Sequence, residues 1–388
     1  MTRALIAFDK FKDALTAREA GEVVAGALRE QRPDWTLDLT PLSDGGEGFT
    51  TILTQAVRGR EVACEVTGPR GKRVTAAFGL VPAMAIPPLA RPQLGLSDGF
   101  ATRANIAIVE VASASGLALL SQNERDPWQT TTQGTGELMR AAAAAGAGAF
   151  LLGMGGSATN DLGFGALAAL GFRFMDARGD PVHPPVPGNW ERITRLDGTL
   201  PADFPPLHIA CDVTNPLLGP RGAAAVYGSQ KGLCIEDYVR LEHQAARVAD
   251  MLCAHCGRDQ TLQYAPGSGA AGGIAFGLMV SADAKLLPGF ELVSAWLNLE
   301  EKLAAADVVI TGEGRFDETS LEGKGPGALV VRALALGKTV HVFAGKIAAA
   351  HRRGLALHEI TPAGMPLAIA LRETPNNLAI STHEVFCH

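Results

Sequence analysis

Apolar runs of strand length alternate with helix-spaced repeats at both ends of the chain, and a different rhythm lies between them. Residues 4–8 read as a buried strand, followed by a polar turn, Asp9-Lys-Phe-Lys-Asp13. Thr16-Ala-Arg-Glu19 has the form of a capping box: the Thr hydroxyl accepts an early N–H and the Glu reaches back to the cap residue. Ala20, Val23, Val24, Ala27 and Leu28 then recur at helical spacing, and Pro33 ends the helix. Residues 37–40 form a second strand, with the loop Pro41-Leu-Ser-Asp-Gly-Gly-Glu-Gly48 after it. A β-α-β start favours a parallel sheet with helices on its faces. The same style returns late, with strands at 308–311, 339–343 and 356–360 and a helix at 326–336 that opens on proline.

Between these ends, residues 61–80 read as a hairpin turning at Gly68-Pro-Arg-Gly71, and residues 82–102 as a long Pro- and Gly-rich surface loop. Strands at 106–111, 150–154 and 207–211 and helices at 135–145, 161–170 and 235–252 follow the periodicity. A second hairpin is expected at 172–182 around Asp176-Ala-Arg-Gly179. The fold class is therefore α/β: a discontinuous Rossmann-like parallel-sheet domain, residues 1–60 plus 288–388, with a second α/β domain inserted at 61–287. Residues 106–170 fit either domain. The tail from Leu378 to His388 lacks an obvious helical pattern.

Composition narrows the function classes. The length suits two domains. A net charge of −6 without a basic stripe argues against nucleic acid as a partner. No apolar run reaches membrane-spanning length, and the N-terminal apolar run is too short for a signal peptide, so no membrane partner is expected. Six scattered cysteines do not make a disulfide scaffold, which points to a reducing cytoplasm. Cys253-Ala-His-Cys256 has no second pair at zinc spacing and reads as an incidental helix-end pair. His208 and His341 lie in apolar strands and read as core histidines, and Met251 and Met279 as packing residues.

The candidate chemistry lies just past the strands, where ligands of open parallel sheets bind. After residues 150–154 come Gly155, Gly156 and Ser157, then Thr159-Asn-Asp161 and a helical pattern. Glycines and a helix N-terminus make this a phosphate or carboxylate cradle, or else a tight turn capped by Thr159 or Asn160. Four more polar clusters take the same kind of position: Asp9 to Lys12, Asp44 to Glu47, Asp212 to Asn215, and Gly312 to Arg315 with Asp317. Together they suggest phosphoryl transfer, which needs cations on the phosphate, a carboxylate-held Mg²⁺ and an acceptor hydroxyl. Lys10 or Lys12 can meet phosphate. Asp44 and Glu47 can hold Mg²⁺, and Glu313 and Asp317 either touch the metal or orient Arg315. Asp212 is the candidate base, and Arg315 a fork for a substrate carboxylate, with Asn215 and Asp317 beside the substrate. Pro266-Gly-Ser-Gly-Ala-Ala-Gly-Gly273 contains a formal G-x-G-x-x-G, but no good strand precedes it, so a NAD fingerprint is not supported. Gly323-Lys-Gly-Pro-Gly327 lacks the Walker A spacing.

Taken in order, these clusters resemble the first class of bacterial glycerate kinases. The resemblance rests on Ile6-Ala-Phe-Asp-Lys-Phe-Lys-Asp-Ala-Leu-Thr-Ala17, Ser43-Asp-Gly-Gly-Glu-Gly48, Gly68-Pro-Arg-Gly71, Glu110-Val-Ala-Ser-Ala-Ser-Gly-Leu117, Gly134-Thr-Gly-Glu137 and Gly153-Met-Gly-Gly-Ser-Ala-Thr-Asn-Asp161. It continues through Ala210-Cys-Asp-Val-Thr-Asn-Pro-Leu-Leu-Gly219, Gly222-Ala-Ala-Ala225, Gln230-Lys-Gly232, the glycine run to Gly273, Ile310-Thr-Gly-Glu-Gly-Arg315, and Gly323-Lys324. The resemblance implies two α/β domains with the active site in the cleft between them. It also implies ATP-dependent, Mg²⁺-assisted phosphorylation of D-glycerate to 2-phosphoglycerate. Phosphorylation at the 3-position, a NAD(P)-dependent hydroxy-acid dehydrogenase and a non-catalytic organic-acid binder are the alternatives. Phe8 stands where the family usually has proline, and Asp13 where glycine is common.

Overall fold

A computed structural model describes residues 1–95, 104–322 and 325–387, and the chain divides into two units, Met1–Asp44 with Val293–His388 and Gly45–Leu292. The end of the loop expected at 82–102 and the Gly323-Lys324 pair lie outside the described residues.

The first unit carries a five-stranded sheet in the order Leu355–Glu359, Thr339–Ala348, Val308–Asp317, Arg3–Phe8, Thr36–Leu39. Every neighbouring pair is parallel. Numbered within this unit, the order is 5-4-3-1-2, a doubly wound arrangement whose direction reverses between the Arg3–Phe8 and Val308–Asp317 strands. Asp9 follows the end of the first strand, and Glu313 lies one residue past the last pairing with it, Phe8 with Gly312; the strand expected at 308–311 runs on to Asp317, so Glu313, Arg315 and Asp317 lie within it. Ala4 to Phe8 are all buried, as a strand covered on both faces requires. Phe8 pairs with Gly312. A Cβ on Gly312 would lie 2.7 Å from the Phe8 ring and 1.9 Å from the Phe343 carbonyl oxygen, so glycine at this position admits the Phe8 ring.

The capping box forms as expected: Glu19 N–H donates to Thr16 Oγ1 at 3.2 Å, and Thr16 N–H to Glu19 Oε2 at 2.8 Å. The helix runs Ala17–Gln31 and buries Ala20, Val24 and Leu28. Asp13 takes φ +63°, a left-handed conformation that explains why glycine suits this position and why aspartate is tolerated there.

The chain end departs from expectation. Leu367–Phe386 is one helix of 20 residues. Ala370, Thr374, Leu378, Thr382 and Phe386 are buried and spaced by four, so they form one stripe toward the sheet. Each stripe threonine returns its hydroxyl to the carbonyl four residues back, at 2.8 Å for Thr374 and 2.7 Å for Thr382, which lets it sit in an apolar face.

The second unit is built on a six-stranded sheet in the order Lys285–Leu287, Leu207–Ala210, Ala147–Gly153, Asn105–Glu110, Arg73–Pro82, Arg60–Thr67. The first four strands are parallel. The last two are the expected hairpin, closed at its turn by Gly68 N–H to the Lys72 carbonyl at 2.7 Å. The turn at Asp176 also forms, but the Arg173–Met175 strand takes Arg195–Asp197 as its ladder partner. Residues 45–60, expected with the first unit, fold with the second, because Glu110 accepts the Thr50 N–H at 2.9 Å and thereby caps the Phe49–Ala56 helix. Residues 288–292 likewise fold with the second unit.

His341 and His358 lie 3.1 Å apart, Nδ1 to Nε2, with Phe343 stacked on His358 and Phe386 against His341. Burial holds both below the usual imidazole range, and His341 adds to the depression of His358, to about 4. At these two rings the unfolded chain therefore binds more protons between about pH 6.5 and pH 4, and their contribution to stability falls as pH drops through that window. The raised carboxyls of Asp9 and Glu313 act in the opposite sense, so the histidine contribution is read as the difference between the wild type and His358→Gln in urea series at about pH 7 and pH 5. The wild type should lose about 1 kcal/mol relative to the variant over that interval, and an identical pH dependence in the two proteins contradicts the assignment.

Candidate active site

In the second unit, backbone meets backbone where the strands end. Gly155 N–H donates to the Gly45 carbonyl at 2.9 Å. A Cβ on Gly153 would lie 2.5 Å from the Gly45 oxygen, and one on Gly155 would lie 2.5 Å from Gly46 Cα. The acidic loop at 44–48 and the loop after Ala147–Gly153 can pack this closely only because both are glycine at the contact. The approach carries Glu47 alongside the glycine loop, since a Cβ on Gly156 would sit 3.4 Å from Glu47 Oε1.

The loop from Met154 to Gly163 is pinned at several points. Leu117 N–H binds the Gly156 carbonyl at 2.7 Å, Ala158 N–H binds the Ser115 carbonyl at 2.9 Å, and Leu162 N–H binds the Gly272 carbonyl at 3.2 Å. Buried Lys231 donates from Nζ to Ser157 Oγ at 3.0 Å, the Thr159 carbonyl at 2.7 Å and Asn160 Oδ1 at 3.1 Å. Burial pulls the Lys231 ammonium down to about 7, against the opposing charge of Asp161.

The helix after this loop spans Phe164–Ala169, so the start expected at residue 161 is corrected. Neither Thr159 nor Asn160 caps it. The N-cap residue is Gly163, and the side chain that satisfies this end is Asp161, fully buried, which accepts N–H groups of Gly163 and Gly165 at 3.1 Å each and the N–H and hydroxyl of Thr132 at 2.8 and 2.9 Å. Burial raises its pKa while these four donors oppose the rise. The helix dipole is thus already answered by a side chain of the chain, and any anion held here is held by loop donors rather than by a helix end.

Asp212, just past the Leu207–Ala210 strand, accepts Phe290 N–H at 2.9 Å. Asn215 is committed at both ends of its amide: Nδ2 donates to the Arg221 carbonyl at 2.8 Å and Oδ1 accepts the Tyr227 hydroxyl at 2.8 Å. Those bonds make Asn215 a brace of its own loop. The glycine run at 267–273 follows a 3₁₀ turn, Gln260–Tyr264, and a Cβ on Gly272 would lie 1.8 Å from the Thr159 carbonyl oxygen. Its glycines therefore back the 155–163 loop, and no dinucleotide fingerprint forms. Cys253 and Cys256 end the Tyr238–Cys256 helix as free thiols, and burial pushes Cys253 up to about 11, an inert environment.

In the first unit, carboxylates converge at the sheet's reversal point. Asp9 is 9% exposed. Burial and then the Asp44 charge raise it to about 7, with Glu313 adding to the rise and Lys10 opposing it. Burial likewise raises Glu313 to about 7, assisted by Asp44 and Asp317, and its Oε1 is buried with no hydrogen-bond partner. Lys12 is exposed, on the backbone beside Gly314. Arg315 is exposed and held by one contact, Nε to Asp317 Oδ2 at 3.0 Å, which leaves its terminal nitrogens outward. Asp317 also accepts the Thr319 N–H at 3.0 Å and the Thr319 hydroxyl at 2.6 Å.

The candidate residues are thus shared out: Lys10, Lys12, Asp44, Glu313, Arg315 and Asp317 lie in the first unit, and Glu47, Gly155, Gly156, Ser157, Asp212 and Asn215 in the second. Residues 4–388 match the glycerate kinase family. The chain belongs to that family. It is 35% identical to the glycerate kinase of Bacillus subtilis (strain 168), over 99% of this chain and 96% of that protein. It is 36% identical to the glycerate 2-kinase of Escherichia coli (strain K12), over 89% of this chain and 85% of that protein. A crystal structure assigned as glycerate kinase 2 from Salmonella typhimurium LT2 superposes with a TM-score of 0.74 at 36% identity, over 99% of this chain and 97% of that one. Membership of the glycerate kinase family makes the chain a kinase, and the dehydrogenase alternative has no footing in the glycine run that suggested it.

The donor set suits a magnesium ion of the kind kinases use. Among the described residues no group of three His, Cys, Asp or Glu side chains could hold a metal ion alone. Mg²⁺ needs no such cage, since it keeps waters and takes one or two carboxylates plus phosphate oxygens. The partnerless Glu313 Oε1, and an Asp9 and a Glu313 each raised by burial and by the Asp44 charge, fit a carboxylate set that a cation would stabilise. Among the described residues no helix is long and apolar enough to cross a membrane.

Two residues escaped the sequence reading. Asp9 stood inside a quoted cluster without a role. Lys231 stood inside Gln230-Lys-Gly232, and nothing local marks it as buried. Asp161 supplies a stability test. Substituting Asp161→Ala leaves the Gly163, Gly165 and Thr132 N–H groups without acceptors in the interior and should cost about 3 kcal/mol or more. Urea unfolding measures this, and a loss under about 1 kcal/mol contradicts the capping role.

Proposed function

We propose that this kinase transfers the γ-phosphoryl group of ATP to the 2-hydroxyl of D-glycerate, giving 2-phosphoglycerate. The observation that carries the reading is the glycine-enabled packing of an acidic loop on the Gly155-Gly156-Ser157 loop, supported by the glycerate 2-kinase name of the Escherichia coli relative. In that arrangement Gly155, Gly156, Ser157 and Lys10 bind the nucleotide phosphates. Asp44, Glu47 and Glu313 hold Mg²⁺, joined by Asp9. When bound, the ion neutralises the charge that develops on the phosphate oxygens.

Asp212 takes the proton of the 2-hydroxyl as the new O–P bond forms and the bond from phosphorus to the ADP oxygen breaks. Its hydrogen bond from Phe290 N–H fixes the carboxylate for that role. Arg315 holds the glycerate carboxylate with its terminal nitrogens, while Asp317 steadies the guanidinium through Nε. Lys12 lies exposed in the loop after the first strand and neutralises the transferring phosphoryl group. Asn215 acts by bracing the loop that carries Asp212. We place the reaction in the cytoplasm on the strength of the cysteine usage.

A coupled assay with D-glycerate, ATP and Mg²⁺ should release ADP, and phosphorus NMR of the product should show coupling to the C2 proton. Coupling to the C3 protons would move the assignment to the 3-position. Substituting Asp212→Asn is expected to lower kcat by about 10²–10⁴ with little change in KM. An unchanged kcat removes the base assignment. Substituting Arg315→Lys should raise the glycerate KM about tenfold and leave the ATP KM alone, because an ammonium has no planar fork. A normal glycerate KM in that variant refutes the clamp.

A further inference from the structure

Lys231 lies outside the established activity and outside every role given above. It is 2% exposed, on the Ser229–Lys231 turn, and all three of its hydrogen bonds go to one stretch, residues 157–160. Gly232 follows with φ +94°, and a Cβ there would lie 2.3 Å from the Arg125 carbonyl oxygen, so the backbone is fixed where the side chain turns inward.

The chemistry of the three acceptors matters more than their number. An ammonium only donates. Ser157 Oγ therefore uses a lone pair on Lys231, and its own proton must point elsewhere. Asn160 presents Oδ1 to Lys231, which fixes the amide orientation and turns both Nδ2 hydrogens away. The Thr159 carbonyl, the acceptor that would repel an anion, is occupied by the same nitrogen. No further partner exists for the Ser157 hydroxyl proton or the Asn160 Nδ2 hydrogens among the described residues. One buried cation thus holds three acceptors of the loop, Ser157 Oγ, the Thr159 carbonyl and Asn160 Oδ1, and leaves the Ser157 hydroxyl proton and the Asn160 amide hydrogens free of the other described residues.

We infer that Lys231 is a positioning residue that makes the Ser157–Asn160 loop a hydrogen-bond donor to the phosphate oxygens of the nucleotide. It touches neither nucleotide nor glycerate. The inference rests on the reading of this loop as the phosphate cradle, and the test separates the two.

The full-length enzyme is compared with Lys231→Met, Ser157→Ala and the double variant, in steady-state kinetics with ATP and glycerate and in calorimetric titration with ADP. Lys231→Met keeps the stem and removes the donors. It should raise the ATP KM and the ADP Kd about tenfold or more, with the glycerate KM within about twofold of the wild type. The double variant should bind ADP no more weakly than Lys231→Met, since the lysine acts through the serine. If Lys231→Met does not fold, Lys231→Arg takes its place: it keeps the charge but cannot reach three acceptors from one atom, and a rise of about threefold is expected. A wild-type ADP Kd in whichever lysine variant folds, beside a weakened Ser157→Ala, overturns the inference alone. Wild-type ADP Kd values in Ser157→Ala and in the lysine variant together overturn the reading of the loop as well. Additive losses in the double variant also overturn the inference, because Lys231 then acts independently of Ser157.

Discussion

The contact between Gly45-Gly46 and Gly153-Gly155 is the constraint from which the rest of the site follows. Here two loops touch through main chain alone, and side chains at 153 or 155 would collide with backbone at 2.5 Å. Backbone cannot retreat as a flexible side chain can, so the positions admit only glycine while the loops keep this separation. The consequence is chemical as well as steric. The loop that carries Glu47 and the Gly155-Gly156-Ser157 loop are held together by the chain itself, which is the arrangement the proposed function draws on.

Electrostatics in the two units run in opposite senses. At the reversal point of the parallel sheet, Asp9 and Glu313 are carboxyls raised to about 7 by burial and by their acidic neighbours. Beneath the glycine loop, Lys231 is an ammonium lowered to about 7 by burial. Each is a charge that the surrounding structure holds at a cost, and for Lys231 three oxygen acceptors offset it. Such groups are seldom retained for stability alone, because a buried pair contributes little to it.

Much of this was legible in the chain, and what was not has identifiable causes. The capping box at Thr16 and Glu19, the hairpin at Gly68 and the strand ends before Asp9, Gly155 and Asp212 are local signals, and they read correctly, whereas the strand expected to stop at Thr311 runs on to Asp317 and takes Glu313 and Arg315 with it. The C-terminal helix was missed because its buried stripe uses two threonines and sits around Pro375, so apolar periodicity understates it. The unit boundary after Asp44 was missed because it depends on Glu110, far away in sequence, capping the Phe49–Ala56 helix. Asp161 and Asn215 stand among ligand-like residues but spend their hydrogen bonds on the chain itself. Lys231 is the converse: an unremarkable lysine by sequence, made significant by burial that no local pattern announces.

The central claim is that the loop held by these glycine contacts receives the nucleotide phosphates. Amide hydrogen exchange of the wild-type enzyme, read on peptides covering residues 154–163 with and without ATP and Mg²⁺, tests it without altering the chain. Slowed exchange at Gly156, Ser157 and Asn160 on adding the nucleotide, and not on adding glycerate alone, is the predicted result. Exchange in that loop that is indifferent to ATP while the enzyme turns over would contradict the account.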